Sequence, residues 1–167
     1  MELRRFEPVD AGHVWALSRI PNVGHTADPS APLPLPPLDK PPAEFPGLAD
    51  VVASFIDRGG EFLVGHVDGA LAAIGGVWPT GDGRAEVKYV RVHPAVRRRG
   101  CGRRLMGAIE DAASALGFYE LHLDTATNQP EAVAFYRSIG YQETGRETRP
   151  EWTWTLVYFT KRLEPCC

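Results

Sequence analysis

The spacing of apolar and polar residues changes along the chain, and these changes predict its elements. Alternation with a period of two, rich in β-branched and aromatic residues, is typical of strands. It occurs in seven runs, at 2–7, 61–67 (EFLVGHV), 70–78 (ALAAIGGVW), 84–92 (RAEVKYVRV), 119–126 (YELHLDTA), 141–145 (YQETG) and 151–163 (EWTWTLVYFTKRL). Asp68-Gly69 predicts a tight hairpin, and residues 79–83 predict a longer turn.

A helical period of 3.6 residues occurs in four segments between these runs. The segments are 10–20, capped by Asp10 and ended by Pro21; 48–57, closed by Gly59 and Gly60; 102–116, closed by Gly117; and 130–139, opened by Pro130 and closed by Gly140. The order βααβββαβαββ predicts an α/β fold of the α+β type. We expect a mixed, mostly antiparallel central sheet of about seven strands flanked by four helices.

Length and composition are typical of a single folded domain, which we assign to residues 1–167. The 167 residues are 44% apolar and 23% charged. The formal charge of −3 disfavours a non-specific nucleic-acid partner, and no run resembles a signal peptide or a membrane span. We therefore expect a cytoplasmic protein without membrane contact. Cys101, Cys166 and Cys167 have neither disulfide nor metal-site spacing, so we expect reduced thiols and no metal.

A proline-rich loop is predicted at residues 28–47. Eight prolines lie between Pro29 and Pro46, so this stretch can form neither a helix nor a central strand. Two interpretations are open. The loop is either a linker or a wall or lid over a binding cleft, because long loops in compact domains are often functional.

Five arginines surround two glycines at residues 92–106, VHPAVRRRGCGRRLM, where a predicted strand gives way to a predicted helix. Free N–H groups at a helix start and arginine side chains both attract anions, and phosphate is the natural occupant. The nucleotide-triphosphate and dinucleotide loop patterns are both absent. The residues alone leave two interpretations, a phosphate site and a solvated arginine-rich turn.

Two motifs resemble the signatures of the GNAT superfamily of N-acetyltransferases. RxxGxG at 97–102, preceded by VRVHP at 90–94, resembles the loop that binds the coenzyme A pyrophosphate in that family. NxxxAxxxYxxxGY at 128–141 resembles the second signature, on the next strand-to-helix unit. The likeness is closest from about 85 to 141. It implies a GNAT-like acyl-CoA N-acyltransferase fold with acetyl-CoA as co-substrate.

The resemblance also implies where acetyl-CoA binds. Its pantetheine arm would enter between the strands at 84–92 and 119–126, which splay apart in this family and offer backbone groups at their edges. Cys101 replaces an aliphatic residue of the family, so we expect it to pack inward. Asn128 would touch the cofactor or cap the helix. The implied cofactor-binding residues are Val90, Arg91, Val92, Arg97, Arg98, Arg99, Gly100, Cys101, Gly102, Arg103, Asn128 and Tyr136.

Acetyl transfer from a thioester to an amine needs a deprotonated nucleophile, a polarised carbonyl and a proton for the departing thiolate. The resemblance implies that Tyr136 donates this proton and that a backbone N–H near Val90 polarises the carbonyl. Glu86 is the candidate base, since it lies two pleats before Val90 and both face one cleft if no bulge intervenes. The alternatives are an ion pair between Glu86 and Lys88 or an arginine, and proton removal through ordered water.

The acceptor is predicted only by class. We expect an N-acetyltransferase that moves the acetyl group to a small primary amine by direct attack in a ternary complex. A protein N-terminus or lysine is an alternative acceptor, and a non-catalytic acyl-CoA sensor is an alternative function. Asp28, Asp39 and Glu44 in the proline-rich loop would favour a cationic amine.

Several further residues receive structural interpretations. His93 and His122 are expected to be structural or solvated. Trp152, Trp154 and Tyr158 are predicted to share one face of the last strand, as core packing or as the surface of a possible homodimer.

Overall fold

A computed structural model describes residues 1–20, 28 and 30–164 of the chain. Its seven strands form one sheet in the order β1-β2-β3-β4-β5-β7-β6. All neighbouring strands are antiparallel except β4 and β5, which are parallel. The strands are β1 (Glu2–Arg5), β2 (Glu61–Val67), β3 (Ala70–Gly81), β4 (Arg84–Val92), β5 (Glu120–Ala126), β6 (Gln142–Glu147) and β7 (Leu156–Arg162).

Helices cover both faces of the sheet. Helices α2 (Cys101–Ala115) and α3 (Pro130–Ser138) pack on one face, where Leu105, Met106 and Ile109 of α2 are almost fully buried. Helix α1 (Ala11–Ser18) and the segment 46–56 pack on the other face, around Phe55 and Phe62. The mixed sheet predicted from the order of elements is therefore confirmed, and it separates two apolar cores.

Both hairpins on the β2–β3–β4 side are two-residue turns. Asp68 and Gly69 have φ values of 50° and 79°, and Asp82 and Gly83 have 54° and 72°. Two consecutive positive φ angles define the type I′ turn, which matches strand twist and favours Asp-Gly. The longer turn predicted at 79–83 is wrong, because β3 continues to Gly81 before the chain reverses.

The second predicted helix is shorter and wound differently. In place of a helix over 48–57, the chain forms a 3₁₀ turn at Pro46–Leu48 and a π-helix at Val52–Ile56. The N–H of Asp57 bonds to the carbonyl of Val52 at 2.8 Å, and that of Gly60 bonds to Phe55 at 2.8 Å. Such five-residue steps are the mark of a π turn.

The last strand begins later than predicted, at Leu156. Trp152 and Trp154 lie in the preceding loop and stack on each other with ring centroids 5.6 Å apart, while Arg149 lies over Trp152. The prediction that both tryptophans share a strand face with Tyr158 is therefore wrong. Helix α1 ends at Ser18, two residues before the predicted end near Ile20. Pro21, Cys166 and Cys167 lie outside the described residues.

The helices of the described residues include none that is long and apolar enough to cross a membrane.

Candidate functional site

Strands β4 and β5 pair only at their beginning. Their parallel contacts run from Arg84 beside Glu120 to Glu86 beside His122. Beyond that point the two strands separate, and the second half of β5 pairs only with β7. The splayed slot predicted between these strands is confirmed, and it leaves two facing strand edges open to a ligand.

A β-bulge lies in β4 beside this slot. Lys88 pairs with Gly76 and Arg91 pairs with Ile74, so Tyr89 and Val90 together face Gly75. Tyr89 has a φ of 56°, a left-handed conformation that non-glycine residues seldom adopt. Because two residues of β4 lie opposite one residue of β3, the alternation of side chains along β4 is reversed after the bulge.

The bulge changes the predicted relation between Glu86 and Val90. The Glu86 side chain accepts a 3.0 Å hydrogen bond from the Trp78 indole, on the face of the α1 core. Val90 packs in the core beneath α2, on the opposite face. The side chains of Glu86 and Val90 therefore do not point to the same face of the sheet, as they would without a bulge. Both residues still line the same cavity at the slot.

The arginine turn forms a cradle at the end of β4. A 3₁₀ turn, Pro94–Val96, is followed by Arg98 at φ 58° and Gly100 at φ 78°, and α2 begins at Cys101. The first N–H groups of α2 have no partner within the helix and point at this turn, where the helix dipole also favours negative charge. An adjoining cavity of about 440 Å³ is lined by Val90, Val92, Arg97, Arg98, Gly100, Gly102, Arg103, Glu131, Ala132, Phe135 and Tyr136.

The cradle is held in shape by His93, which is fully buried. Its Nδ1 accepts a hydrogen bond from the N–H of Ala95 at 3.1 Å, so its Nε2 carries the proton and donates to the Pro32 carbonyl at 2.9 Å. Burial lowers the pKa of His93 and keeps the ring neutral. His93 is thus structural, as expected, and it joins the cradle to the proline-rich loop.

The predicted cofactor residues divide by position. The side chains of Arg97, Arg98 and Arg103 line the cradle cavity, and burial lowers the pKa of Arg97. The Arg99 side chain is exposed outside it. Arg91, which was also predicted to bind the cofactor, lines the second cavity described below and not the cradle cavity.

Two further predicted residues are placed elsewhere. Cys101 packs inward against Ala72 and Val96, as expected. Asn128 is exposed, and the residue at the helix cap is Gln129, which makes no capping bond through its side chain. The capping role predicted for Asn128 is therefore wrong.

Tyr136 lies at the junction between the cradle and the slot. Its side chain is only 8% exposed, and it contacts the rings of Tyr141 and Phe159 at centroid distances of 5.7 and 6.2 Å. Burial raises the pKa of Tyr136 to about 12, against a smaller lowering by Arg91. The phenol therefore keeps its proton at neutral pH and can donate it.

A second cavity, of about 570 Å³, lies on the other side of Tyr136. Its walls come from the proline-rich loop, β3, β4, β5 and the start of β7. Tyr136 and Val90 line both cavities. The residues that the sequence did not single out here include Phe45, Trp78, Tyr89, Asp124, Thr125 and Gln129.

The proline-rich loop forms part of this second cavity. Glu44, Phe45 and Pro46 line it, and the Phe45 ring packs edge-on against Tyr89 at 5.7 Å. Earlier in the loop, the N–H of Leu38 bonds to the Gly12 carbonyl of α1 at 3.0 Å. Of the two predicted interpretations, these contacts favour a wall.

Two acidic side chains of the second cavity differ in their surroundings. Glu86 is engaged by Trp78 and lies 3.6 Å from the Lys88 ammonium, as the ion-pair alternative predicted. Asp124 is reached by solvent within the cavity, yet the surrounding walls displace enough water to raise its pKa. His122 is adjacent, where its Nε2 lies 2.8 Å from the Thr80 hydroxyl and burial lowers its pKa.

A splayed sheet with an anion cradle at the slot is the architecture of an acyl-CoA-type acyltransferase domain. Residues 28–141 match the family model described as the acetyltransferase (GNAT) family, and the chain belongs to this family. The predicted resemblance is confirmed.

Curated relatives resemble part of the chain. IAA acetyltransferase of Azospirillum brasilense is 38% identical over 85 residues, which cover 50% of this chain and 56% of that protein. N-alpha-acetyltransferase RimI of Mycobacterium tuberculosis is 36% identical over 92 residues, or 55% and 53% of the two chains. The chain thus matches about half the length of these relatives.

A solved structure extends the likeness to almost the whole chain. The phosphinothricin acetyltransferase (Pat) of Sinorhizobium meliloti, determined in complex with AcCoA, has a TM-score of 0.75 to this chain. The match covers 97% of this chain and 88% of that chain at 17% identity. At this identity the likeness shows the fold, and the predicted GNAT-like fold is confirmed.

Proposed function

We propose that this protein is an acetyl-CoA-dependent N-acetyltransferase that acts on a small primary amine. The observation that carries the proposal is the meeting of two cavities at one phenol. The cradle cavity leads to Tyr136 from the arginine turn, and the second cavity leads to it from the side of the proline-rich loop. Two reactants that enter from opposite sides would meet there, as direct transfer in a ternary complex requires.

The residues of the cradle fit the diphosphate of coenzyme A. Arg97, Arg98 and Arg103 supply positive charge, and the start of α2 supplies N–H donors. At Gly102 a Cβ atom would lie 3.4 Å from Phe135, an ordinary contact that the protein tolerates. Gly102 lines the cradle cavity, so the space beside it is available to a ligand.

The proposed reaction has no net gain or loss of protons. The amine nitrogen forms a bond to the acetyl carbon, the carbon–sulfur bond breaks, and one proton passes from nitrogen to the departing sulfur. Tyr136 donates to the sulfur and is reprotonated as the nitrogen loses its proton. Open N–H groups on the β4 edge near Val90 stabilise the carbonyl oxygen as it gains charge.

Proton removal from the amine has two candidate routes. Glu86 lines the second cavity, but its carboxylate is occupied by Trp78 and Lys88. Water at the mouth of the cavity is the other route. Glu86 therefore stands as a candidate base whose replacement should reduce the rate less than replacement of Tyr136.

The test is an acceptor screen with acetyl-CoA, in which free thiol is measured together with the mass of the acetylated product. Transfer to one or more small amines supports the proposal. Acetyl-CoA binding without transfer to any amine or peptide would contradict it and favour the sensor function. Transfer to peptides alone would favour a protein N-terminus or lysine as acceptor.

A further inference from the structure

Some charged side chains that line the second cavity make ion pairs and others do not. Glu44 lies 3.4 Å from Arg19, and Glu86 lies 3.6 Å from Lys88. Within the described part of the chain, Arg91 and Asp124 make no ion pair, although both line the cavity. One positive and one negative group without an ion pair therefore line the same cavity, which solvent reaches at Asp124.

Arg91 is set up to bind an anion. Its Nη1 donates to the Val90 carbonyl at 2.9 Å, and its guanidinium lies 5.6 Å from the centre of the Phe45 ring. Its Nε is buried and has no hydrogen-bond partner among the described residues. A buried charged donor without an acceptor is unfavourable unless a ligand completes it. A guanidinium carries N–H donors in pairs, and such a pair suits the two oxygens of a carboxylate.

Asp124 is set up to bind a cation beside the reaction centre. It lies on the open part of β5, beyond its last contact with β4. Asp124, Arg91 and Tyr136 line the same cavity. The two unpaired groups are thus both near the phenol at which the cavities meet.

We propose that the acceptor is a zwitterion, an α-amino acid, whose ammonium group binds Asp124 and whose carboxylate binds Arg91. The bound ammonium gives one proton to Glu86 or to water before the neutral nitrogen attacks the acetyl carbon. Its side chain lies against the aromatic wall of Phe45, Trp78 and Tyr89, which line the same cavity. This inference rests on the proposed function and specifies its acceptor. It also distinguishes a free amino acid from a protein N-terminus, where an amide replaces the carboxylate.

The test compares acceptors that differ only in the carboxylate. Each of the twenty amino acids is assayed beside its amide, and the best pair is carried forward with the corresponding dipeptide. We expect kcat/KM for the amino acid to exceed that for the amide by at least about 10-fold, mainly through KM, because an unpaired buried donor is left by the amide. Equal values for the pair would overturn the proposal.

Arg91→Gln keeps a polar side chain but removes the charge. We expect the preference for the amino acid over its amide to collapse to about 1, while Arg91→Lys restores part of it. Arg162→Gln, the same change at an exposed residue at the end of β7, should keep the preference. If kcat/KM fell by the same factor for the amino acid and for its amide, Arg91 would be a structural residue and its role as anion site would be overturned.

Binding heats separate this inference from the proposed function. The amino acid is titrated into the protein saturated with coenzyme A, with and without Arg91→Gln. Arg91-dependent binding without acetyl transfer would leave the zwitterion site standing while the transferase function fails. Transfer to amines that lack a carboxylate, with no dependence on Arg91, would support the transferase function and overturn the zwitterion site. If Arg91→Gln fails to fold, Asp124→Asn tests the ammonium side by the same titration.

Discussion

The two cavities that meet at Tyr136 are built in different ways. The cradle comes largely from one continuous stretch, 90–103, and uses backbone N–H groups, positive φ angles and a helix start. The second cavity is assembled from the proline-rich loop, β3, β4, β5 and β7, and uses side chains. A ligand common to a family can be held by local backbone geometry, whereas a particular acceptor requires side chains from distant segments.

Replacing the shared phenol should have the largest effect, because it belongs to both cavities. Tyr136→Phe is expected to lower kcat about 100-fold, the usual range for loss of a general acid, with little change in acetyl-CoA affinity. Since the pKa of Tyr136 is about 12, no fall in rate below pH 11 should come from its ionisation. Steady-state kinetics from pH 6 to 10 measure both.

Tyr141→Phe is the matched control for this change. The Tyr141 ring lies 5.7 Å from Tyr136. Its buried hydroxyl makes no hydrogen bond of normal geometry to the residues that the structure describes, and burial, followed by the Glu110 charge, raises its pKa. Its loss should cost neither rate nor stability. Full kcat in Tyr136→Phe would show that the proton reaches sulfur by another route.

Gly102→Ala tests the cradle alone. Its Cβ is compatible with the protein but would occupy the space assigned to the diphosphate, so acetyl-CoA should bind about 10-fold more weakly. Gly107→Ala in the same helix is the control, because no described residue comes within 4 Å of the new Cβ apart from the helix's own backbone and chain neighbours. Both variants should be as stable as the parent, or up to about 1 kcal/mol more stable. Calorimetric binding and thermal unfolding check this, and unchanged affinity in Gly102→Ala would contradict the cradle assignment.

Gly47→Ala tests the second cavity alone. The new Cβ would lie 2.8 Å from the Tyr89 hydroxyl and 3.1 Å from Trp78, so the aromatic wall must shift. We expect KM for the acceptor to rise by a few-fold, on the order of 1 kcal/mol of overpacking, while acetyl-CoA affinity stays constant. Gly145→Ala, with no atom within 4 Å, is the control. A change in acetyl-CoA affinity of the same size would show that the cavities are not separable.

The smallest effect concerns the contact that joins cradle and loop. Burial lowers the pKa of His93 in the folded protein, so below its ordinary value of about 6.5 the unfolded chain binds the extra proton and the folded chain does not. Stability should therefore be fully present above that pH and decline as pH falls below it. Urea unfolding at pH 7.5 and 5.5 measures the decrease in the free energy of unfolding between these pH values. His93→Gln should make this decrease smaller. An equal loss in the variant would assign the effect to another group, such as His122, whose pKa burial also lowers.

Local signals explain which parts of the fold and site were predictable. Gly117 and Gly140, with φ of 90° and 95°, end α2 and α3 where a left-handed residue was expected, and the four-residue spacing of Asn128, Ala132 and Tyr136 marked α3. The same spacing could have identified Ala132 as a cavity residue. Misplaced elements, such as the π turn near Phe55, reflect long-range packing against β2 and β3 that no local pattern contains.

The sequence by itself determined the order of the elements, the cradle and Tyr136, because periodicity, helix ends and a short glycine-arginine motif act over a few residues. Tertiary structure decided the rest. The bulge at Tyr89 moved Glu86 and Val90 to opposite faces, and the proline-rich loop folded back to place Phe45 beside Arg91. These outcomes depend on strand register and on contacts between residues far apart in the chain, so the second cavity exists only once the sheet has formed.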